Sequence, residues 1–358
     1  MIVPTSSSEL VEAIKTARGP VLAVGGGTKP RLSAIEGVTR LSMTGLRGIT
    51  EYEPDEYTFT ALAGTPLQEI IAALKAKGQY LPFDPPFAAA GATLGGTVAA
   101  GLNGPGRFRF GGVRDFILGV RFVDGEGRLL RMGGKVVKNA AGFDLPKFFV
   151  GSLGRLGVLA EITFKVFPVR TDSLTLRLPA GDAVAISRIF TAAATARWEI
   201  DALEADPASG DVLIRLAGPT AAIATLAGEI LARWPGEKLA ADAAAKRWSE
   251  VLEFRWADGA ESLFKLTLTP ARVADFAALL REFPGARGWV GNGGNLGYLA
   301  LPGAAADEAL GHRLRAGAFP ALTLRGAAPL FPGTHAEPAI ARAVKSALDP
   351  AGRFPSLE

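Results

Sequence analysis

Cysteine is absent from this sequence of 358 residues, and histidine occurs only twice, as His312 and His335. A chain without cysteine can form no disulfide, no thiolate zinc site and no cysteine-ligated iron–sulfur cluster, and it has no cysteine nucleophile. Two histidines leave little for a histidine metal site or for a Ser-His-Asp triad. We therefore predict no metal site.

Strong net charge and long apolar runs are missing as well. The 39 basic and 35 acidic residues leave a net charge of +4, which is small for a nucleic-acid-binding protein. The apolar stretch at 87–102 is rich in glycine and alanine, and it is shorter than the ~20 residues of a membrane-spanning helix. No basic leader precedes an apolar stretch at the N-terminus. We expect a cytoplasmic protein that binds no nucleic acid and associates with a membrane at most peripherally, through a complex.

Glycine, in contrast, is abundant and unevenly distributed. Of the 44 glycines, 17 lie between Gly91 and Gly157, far more than an even distribution would place there. Glycine costs backbone entropy, so this density indicates tight turns, positive φ angles or a backbone that approaches a ligand closely.

Two of the glycine loops are candidate anion sites. Gly25–Thr28 follows a predicted strand at 20–24, and successive backbone amides in such a loop can point at an anion. Pro30 breaks the dinucleotide fingerprint, and in the second loop, 91–97, Thr97 stands where a phosphate loop has lysine. An ordinary turn explains the first loop equally well, and close packing of a strand against a helix could explain the second. Together the two loops favour a ligand.

The third glycine-rich region covers 133–157. Asp144 is predicted to cap a helix that contains Lys147 and Phe148, and Lys138 with Asn139 is unusual for a strand. Three glycines spaced three residues apart then open into an apolar strand, Leu159–Val166. The alternative interpretation is a pair of ordinary turns between strands.

Periodicity predicts the elements on either side of this region. Ser6 and Glu9 match a capping box before a helix at 10–17, and a helix with Pro66 in its first turn should end at Gly78. After Pro168 glycine becomes sparse and a β-α-β-β-α pattern occurs twice, which indicates two ferredoxin-like halves. The predicted strands are 173–178, 199–204, 211–217, 262–268, 287–291, 296–301 and 320–325, and the predicted helices are 183–197, 219–233, 241–254, 270–282 and 304–316.

Taken in order, the motifs resemble the FAD-binding domain of the vanillyl-alcohol-oxidase (PCMH-type) flavoprotein superfamily, and within it the FAD-binding E-type subunits of bacterial glycolate oxidases. Leu348–Phe354 also resembles the closing Asp-Pro-x-Gly-x-Phe signature of that family, although 355–357 replaces its usual Asn-Pro-Gly. The segments that carry the resemblance are Gly25–Lys29, Pro85 with Gly91–Gly101, Arg109–Gly112, Gly133–Leu145 and Val150–Pro168.

The resemblance implies an α+β fold and a cofactor. It implies a PCMH-type FAD-binding domain of two α/β subdomains at 1–170, an antiparallel cap domain at 171–330 and a C-terminal return at 331–358. Because Thr28 and Lys29 follow the first loop, and no histidine precedes His312, the implied FAD is noncovalent. The implied cofactor-binding residues are Gly25, Gly26, Gly27, Thr28, Lys29, Pro85, Gly91, Ala92, Thr93, Leu94, Gly95, Gly96, Ala99, Arg109, Gly151, Gly154, Gly157 and Val158.

The implied function is that of an FAD-binding subunit that assists oxidation of glycolate to glyoxylate, beside a catalytic FAD subunit and an iron–sulfur subunit. Catalytic members of the superfamily often carry a histidine where this chain has Gly297, and no catalytic residue is assigned. His312 and His335 are interpreted as a surface helix residue and a structural residue. The alternatives are a self-sufficient FAD-dependent 2-hydroxy-acid dehydrogenase, a structural partner that has lost FAD, and an NADPH-dependent reductase whose cap this chain does not resemble.

Overall fold

The computed structural model describes residues 1–134, 144–304, 307–336 and 338–356, so the predicted Lys138-Asn139 feature lies outside the described residues. The chain divides into two compact units. The first comprises Met1–Asn103, Gly112–Val169 and Ala336–Glu358, and the second comprises Gly104–Gly111 and Arg170–His335.

The described strands are β1 Val21–Val24, β2 Thr39–Ser42, β3 Ile49–Glu53, β4 Thr58–Leu62, β5 Gln79–Tyr80, β6 Ile117–Val123, β7 Leu129–Gly133, β8 Val158–Lys165, β9 Phe167–Pro168, β10 Asp172–Pro179, β11 Ile200–Asp206, β12 Asp211–Gly218, β13 Glu237–Lys238, β14 Ser262–Thr267, β15 Arg287–Gly291, β16 Leu296–Leu301 and β17 Ala321–Arg325. The described α-helices are α1 Ser7–Thr16, α2 Leu67–Lys75, α3 Leu94–Ala100, α4 Arg107–Phe110, α5 Val113–Phe116, α6 Ala183–Thr195, α7 Thr220–Arg233, α8 Ala241–Leu252, α9 Val273–Arg281, α10 Asp307–Ala316 and α11 Ala339–Leu348.

The first unit combines a parallel strand pair with an antiparallel sheet. Strands β1 and β2 run parallel, and β3-β4-β8-β6-β7 form a five-stranded sheet in that order. One core cluster buries Leu10 and Ile14 of α1 against Val21 of β1 and Val158 of β8. Phe354, near the C-terminus, is buried in the same cluster, so three distant chain segments share one core.

The C-terminal segment is fixed to the first unit through buried Asp349. Its carboxylate accepts hydrogen bonds from the amides of Arg353 at 2.6 Å and Phe354 at 2.9 Å, and also from Lys345 Nζ. The amide of Val21 in β1 donates to the Arg353 carbonyl at 2.7 Å. Asp349, the aspartate of the closing signature, therefore fixes the backbone conformation of 350–354 by accepting these hydrogen bonds.

The second unit is built on one antiparallel sheet of eight strands in the order β13-β10-β12-β11-β15-β16-β14-β17. The passages β10-α6-β11-β12-α7 and β14-α9-β15-β16-α10 repeat one pattern, and the two halves meet where β11 pairs with β15. Helices α6 and α9 pack together over a core that includes Phe190, Phe264 and Phe276. The predicted fold class, with two ferredoxin-like halves, is confirmed.

Local contacts correct three expectations about helix ends. Ser6 Oγ accepts from the Glu9 amide at 3.2 Å, but the Glu9 carboxylate accepts from the amide of Thr5 at 2.8 Å, so the capping box is displaced by one residue. Pro66 precedes α2 instead of lying in its first turn. The prediction that Asp144 caps a helix was wrong: its side chain makes no capping bond, because the carboxylate pairs with Lys147 Nζ at 2.8 Å beside the 3₁₀ turn Leu145–Phe149.

Candidate functional site

An open cavity lies in the first unit, and its empty volume of about 780 Å³ includes bulk solvent at its mouth. The wall is formed by the end of β1 with the loop after it, by α3, and by the turn at 152–157, and it is mainly glycine, alanine and other apolar residues. Three of the predicted glycine-rich segments therefore meet at one cavity.

The structure separates the predicted cofactor residues into two groups. Those that line the cavity are Gly25, Gly26, Gly27, Thr28, Lys29, Thr93, Gly95, Gly96, Ala99, Gly154 and Gly157. Those of the first unit that do not line it are Pro85, Gly91, Ala92, Leu94, Gly151 and Val158. Arg109 belongs to the second unit, where its guanidinium pairs with Glu199 at 2.8 Å.

Sequence reasoning missed the apolar part of the wall. The missed residues are Ala23, Val24, Leu32, Ser33, Met43, Ala63, Ala100, Ser152, Leu153 and Leu159. Most are small or apolar residues in or beside strands and helices, where the same pattern predicts ordinary core. Ser152 and Leu153 were detectable, because they lie between the predicted Gly151 and Gly154.

Two glycines of the first loop are required by close packing. A Cβ on Gly26 would lie 1.9 Å from the carbonyl oxygen of Gly91, and a Cβ on Gly25 would lie 2.3 Å from Thr93 Oγ1. No side chain fits at those distances. These contacts hold the first loop against the second at the cavity wall.

The next residues of the first loop are open. Gly27 has a φ of +70°, and a Cβ there would meet nothing within 4 Å. Across the described residues, the amides of Gly26, Gly27 and Thr28 donate to no protein acceptor. A run of free amide donors at a cavity suits an anion such as a phosphate group.

Lys29 adds a positive charge to the same wall. Its Nζ donates to Thr28 Oγ1 at 2.8 Å and lies 5.3 Å from the centre of the Phe87 ring. Burial lowers the pKa of Lys29 to about 8, because a charged amine is poorly solvated there. No carboxylate among the described residues pairs with it.

The third segment is attached to α3 by backbone bonds. The amide of Gly151 donates to the Val98 carbonyl, and that of Leu153 donates to the Ala99 carbonyl, both at 2.9 Å. Leu153 has a positive φ of 54°, and the buried Ser152 Oγ beside it has no hydrogen-bond partner. This turn and α3 thus form one continuous part of the wall.

A separate polar cluster lies within the second unit. Lys265 on β14 is opposite Tyr298 on β16, and the buried Tyr298 hydroxyl has no hydrogen-bond partner. Burial and the charge of Arg107 lower the pKa of Lys265 to about 8, whereas burial and the nearby Glu204 carboxylate raise the pKa of Tyr298. Neither Lys265 nor Arg107 pairs with a carboxylate of the described residues.

The Glu204 carboxylate is held in place beside this cluster. It accepts from Trp289 Nε1 at 2.6 Å and from the amide of Asn292 at 2.9 Å. Arg107, Lys265, Tyr298 and Glu204 therefore place two cations, a neutral phenol and one carboxylate in a small region, an arrangement that can recognise an organic anion.

Gly297 and the two histidines of the chain do not form a histidine site. Gly297 is buried on β16, and a Cβ there would lie 2.7 Å from Leu268 Cδ1, so a larger side chain would enter the core. His312 is exposed on α10. The His335 ring stacks on the Phe331 ring, with the two ring centres 3.8 Å apart. Within the described residues no group of three or more His, Cys, Asp or Glu side chains could hold a metal ion.

A comparison with family models gives a match at residues 1–133 to the FAD binding domain. These residues are therefore similar to an FAD-binding domain. They include the first two cavity loops. The free amides of the first loop and the glycines that line the wall fit a dinucleotide. The predicted FAD cofactor is confirmed.

Curated relatives extend the match beyond the FAD-binding domain. The chain is 43% identical over 207 residues to glycolate oxidase subunit GlcE of Escherichia coli, an alignment that covers 57% of each protein. It is 31% identical over 209 residues to D-2-hydroxyglutarate dehydrogenase of Xanthomonas citri, which covers 56% of this chain and 43% of that one. The matched region thus spans about half the length of these relatives.

A solved structure shows the same fold. Alkyldihydroxyacetonephosphate synthase aligns with a TM-score of 0.72 over 98% of this chain and 76% of its own, at 15% identity. At that identity the likeness concerns the fold alone. In the described part of the chain, no helix is both long and apolar enough to cross a membrane.

Proposed function

We propose that this chain is the FAD-binding subunit of a glycolate oxidase-type complex, which assists oxidation of glycolate to glyoxylate by electron transfer or by assembly. The observation that carries the proposal is the cavity of the FAD-binding domain, where three glycine-rich segments converge on open amides and one lysine. The 43% identity to a protein named glycolate oxidase subunit GlcE supports the choice of complex.

The cofactor is held without a covalent bond. Among the described residues, the cavity wall has no histidine or cysteine that could form a covalent link to a flavin. The free amides of the first loop and Lys29 would face the pyrophosphate, and the glycines of the turn at 152–157 leave space along the dinucleotide. When bound, FAD supplies a two-electron acceptor, which is the chemistry that oxidation of a hydroxy acid requires.

The domain roles and partners belong to the same proposal. Residues 1–170 with the C-terminal return bind FAD, and 171–330 form the cap. A catalytic FAD subunit and an iron–sulfur subunit complete the complex. Because the chain has no cysteine, a cysteine-ligated cluster must lie on another subunit. We place the complex in the cytoplasm, in glycolate catabolism, with peripheral membrane contact through its subunits.

A second candidate function is favoured by the polar cluster of the second unit. Arg107 and Lys265 have no carboxylate partner among the described residues, and a 2-hydroxy-acid carboxylate would supply one. In this alternative the chain is a self-sufficient FAD-dependent 2-hydroxy-acid dehydrogenase.

Glycolate titration distinguishes the two functions. The full chain is purified alone and also co-expressed with a catalytic flavoprotein subunit, and loss of flavin absorbance near 450 nm is followed anaerobically after glycolate is added. The subunit proposal predicts bleaching in the complex and none in the isolated chain. Bleaching of the isolated chain that Lys265→Met abolishes would overturn it in favour of the self-sufficient enzyme.

A further inference from the structure

Lys29 is the only titratable side chain on the cavity wall among the described residues. It follows directly on the free amides of Gly26, Gly27 and Thr28, and its Nζ is held by Thr28 Oγ1 at 2.8 Å. The amine and the amide row therefore belong to one short stretch of chain that faces one cavity.

No element packed around the cavity offers Lys29 a compensating charge. Strand β1, helix α3 and the turn at 152–157 contribute only uncharged side chains to the wall. The 3₁₀ turn after Lys29 contributes Leu32 and Ser33, while the guanidinium of Arg31 bonds the Ala34 carbonyl at 3.1 Å. On its remaining side Lys29 faces the Phe87 ring. A half-buried ammonium in such surroundings gains from an anionic ligand.

We propose that the Lys29 ammonium pairs with the pyrophosphate of FAD, so that cofactor binding takes up a proton and weakens as the medium becomes alkaline. This inference rests on the proposed noncovalent FAD site and adds a proton linkage to it. The pyrophosphate is the group to which the linkage is assigned, because the flavin and adenine rings carry no comparable negative charge at neutral pH.

The direction of the pH dependence follows from the pKa of Lys29 in the free and the FAD-bound protein. Free Lys29 has a pKa near 8, and a bound dianion raises it, so the complex retains the proton at a pH where the free protein has lost it. The apparent Kd is then constant well below pH 8 and rises toward tenfold per pH unit above it. Between pH 7 and pH 9 the expected increase in Kd is about tenfold.

The experiment is a flavin-fluorescence titration of the flavin-depleted full chain with FAD between pH 6 and pH 9. Wild type should lose about tenfold in affinity from pH 7 to pH 9. Lys29→Arg, which keeps its charge, should bind tightly with a flat profile, and Lys29→Met should bind weakly with a flat profile. Riboflavin, which lacks the pyrophosphate, should show no slope with wild type.

Each contrary result has a distinct meaning. A flat wild-type profile, or an equal slope with riboflavin, overturns the proton linkage while the FAD site stands. A slope that persists in Lys29→Arg assigns the proton to another group and also overturns it. Failure of wild type to bind FAD at any pH overturns the proposed cofactor site itself. The wild-type slope and the riboflavin comparison need no variant, so the test holds even where a substitution impairs folding.

Discussion

Gly26 and Gly27 are adjacent, yet they are glycines for different physical reasons. At Gly26 a Cβ would overlap the Gly91 carbonyl oxygen, whereas at Gly27 the space is open and the backbone has a positive φ. The first constraint is steric and joins two loops, while the second concerns backbone conformation. A substitution at Gly26 therefore tests the contact between the loops.

We expect Gly26→Ala to destabilise the first unit by about 3 kcal/mol and to abolish FAD retention, because backbone must move to admit the methyl group. Urea unfolding and the flavin content of the purified protein measure the two effects. Gly228→Ala is the control: its position in α7 is open, and alanine there should stabilise the second unit by about 1 kcal/mol. Retained flavin in Gly26→Ala would show that the loops can separate without loss of the site.

Lys265 gives a prediction for stability against pH. Its folded pKa of about 8 lies below its ordinary value, so the unfolded chain binds more protons between pH 8 and about pH 10.5. The stability contribution of this group is therefore lowest below pH 8 and recovers as the pH rises through that window. Because the side chain is partly exposed, we reduce the full effect to about 1–3 kcal/mol.

Comparison with Lys265→Met isolates this effect. At pH 7 the variant should be more stable than wild type by about 1–3 kcal/mol, and at pH 10 the difference should fall to about a quarter of that. Thermal unfolding of both proteins across this range measures it. A difference that is independent of pH would mean that the amine is as well solvated in the folded protein as in the unfolded one.

At the scale of elements, one buried carboxylate links the last helix to the segment after it. Asp349 binds the amides of Arg353 and Phe354 as well as Lys345 Nζ, and Phe354 fills a core site of the first unit. Loss of that carboxylate leaves two amides without their acceptor and the Lys345 ammonium without a counter-charge, although its Nζ keeps the carbonyls of Arg155 and Phe354. The segment should then detach before the rest of the unit unfolds.

Asp349→Ala should lower the free energy of unfolding by about 3 kcal/mol, because removing one partner of a buried charged pair leaves the other uncompensated. Amide hydrogen exchange should show reduced protection at 339–354 while β4 and β8 stay protected. Ser346→Ala, an exposed position on the same helix, is the matched control and should leave exchange unchanged. Unchanged protection in Asp349→Ala would mean that Phe354 packing alone holds the segment.

Regular elements were predictable from sequence, while the cavity wall was only partly so. Several strands after Pro168, such as β11 and β16, are buried almost throughout, and their helices carry one apolar face. Short apolar runs and helical periodicity therefore located these elements within a few residues. Asp144 was misjudged because its choice between an amide and Lys147 depends on local geometry. Leu32, Met43 and Leu159 were missed because an apolar residue beside a cavity has the same local pattern as one in a core. The glycines were singled out because glycine costs backbone entropy, and Lys29 was included through the resemblance of Gly25–Lys29 to the family.

At the scale of the whole molecule, the chain consists of two units with separate cores and different polar sites. The cavity and its loops belong to the first unit, and the cluster of Arg107, Lys265 and Tyr298 belongs to the second. A ligand of the first unit stabilises that unit by mass action, because it binds the folded form.

FAD at 100 times its Kd should therefore raise the free energy of unfolding of the first unit by about 2.7 kcal/mol. Differential scanning calorimetry of the flavin-depleted chain with and without FAD measures this shift. Riboflavin at equal concentration is the control and should give a smaller shift, since it cannot engage the free amides of the first loop through a pyrophosphate. Equal shifts with both flavins would place the binding energy in the ring system.

The central claim is that the three glycine-rich segments form a noncovalent FAD site. It is tested most directly by an absorption spectrum of the chain expressed alone, repeated after denaturation and filtration. The account predicts a flavin spectrum in the native protein and all of the chromophore in the filtrate. A colourless protein that also takes up no added FAD would contradict it, and chromophore retained with the denatured chain would contradict the noncovalent attachment.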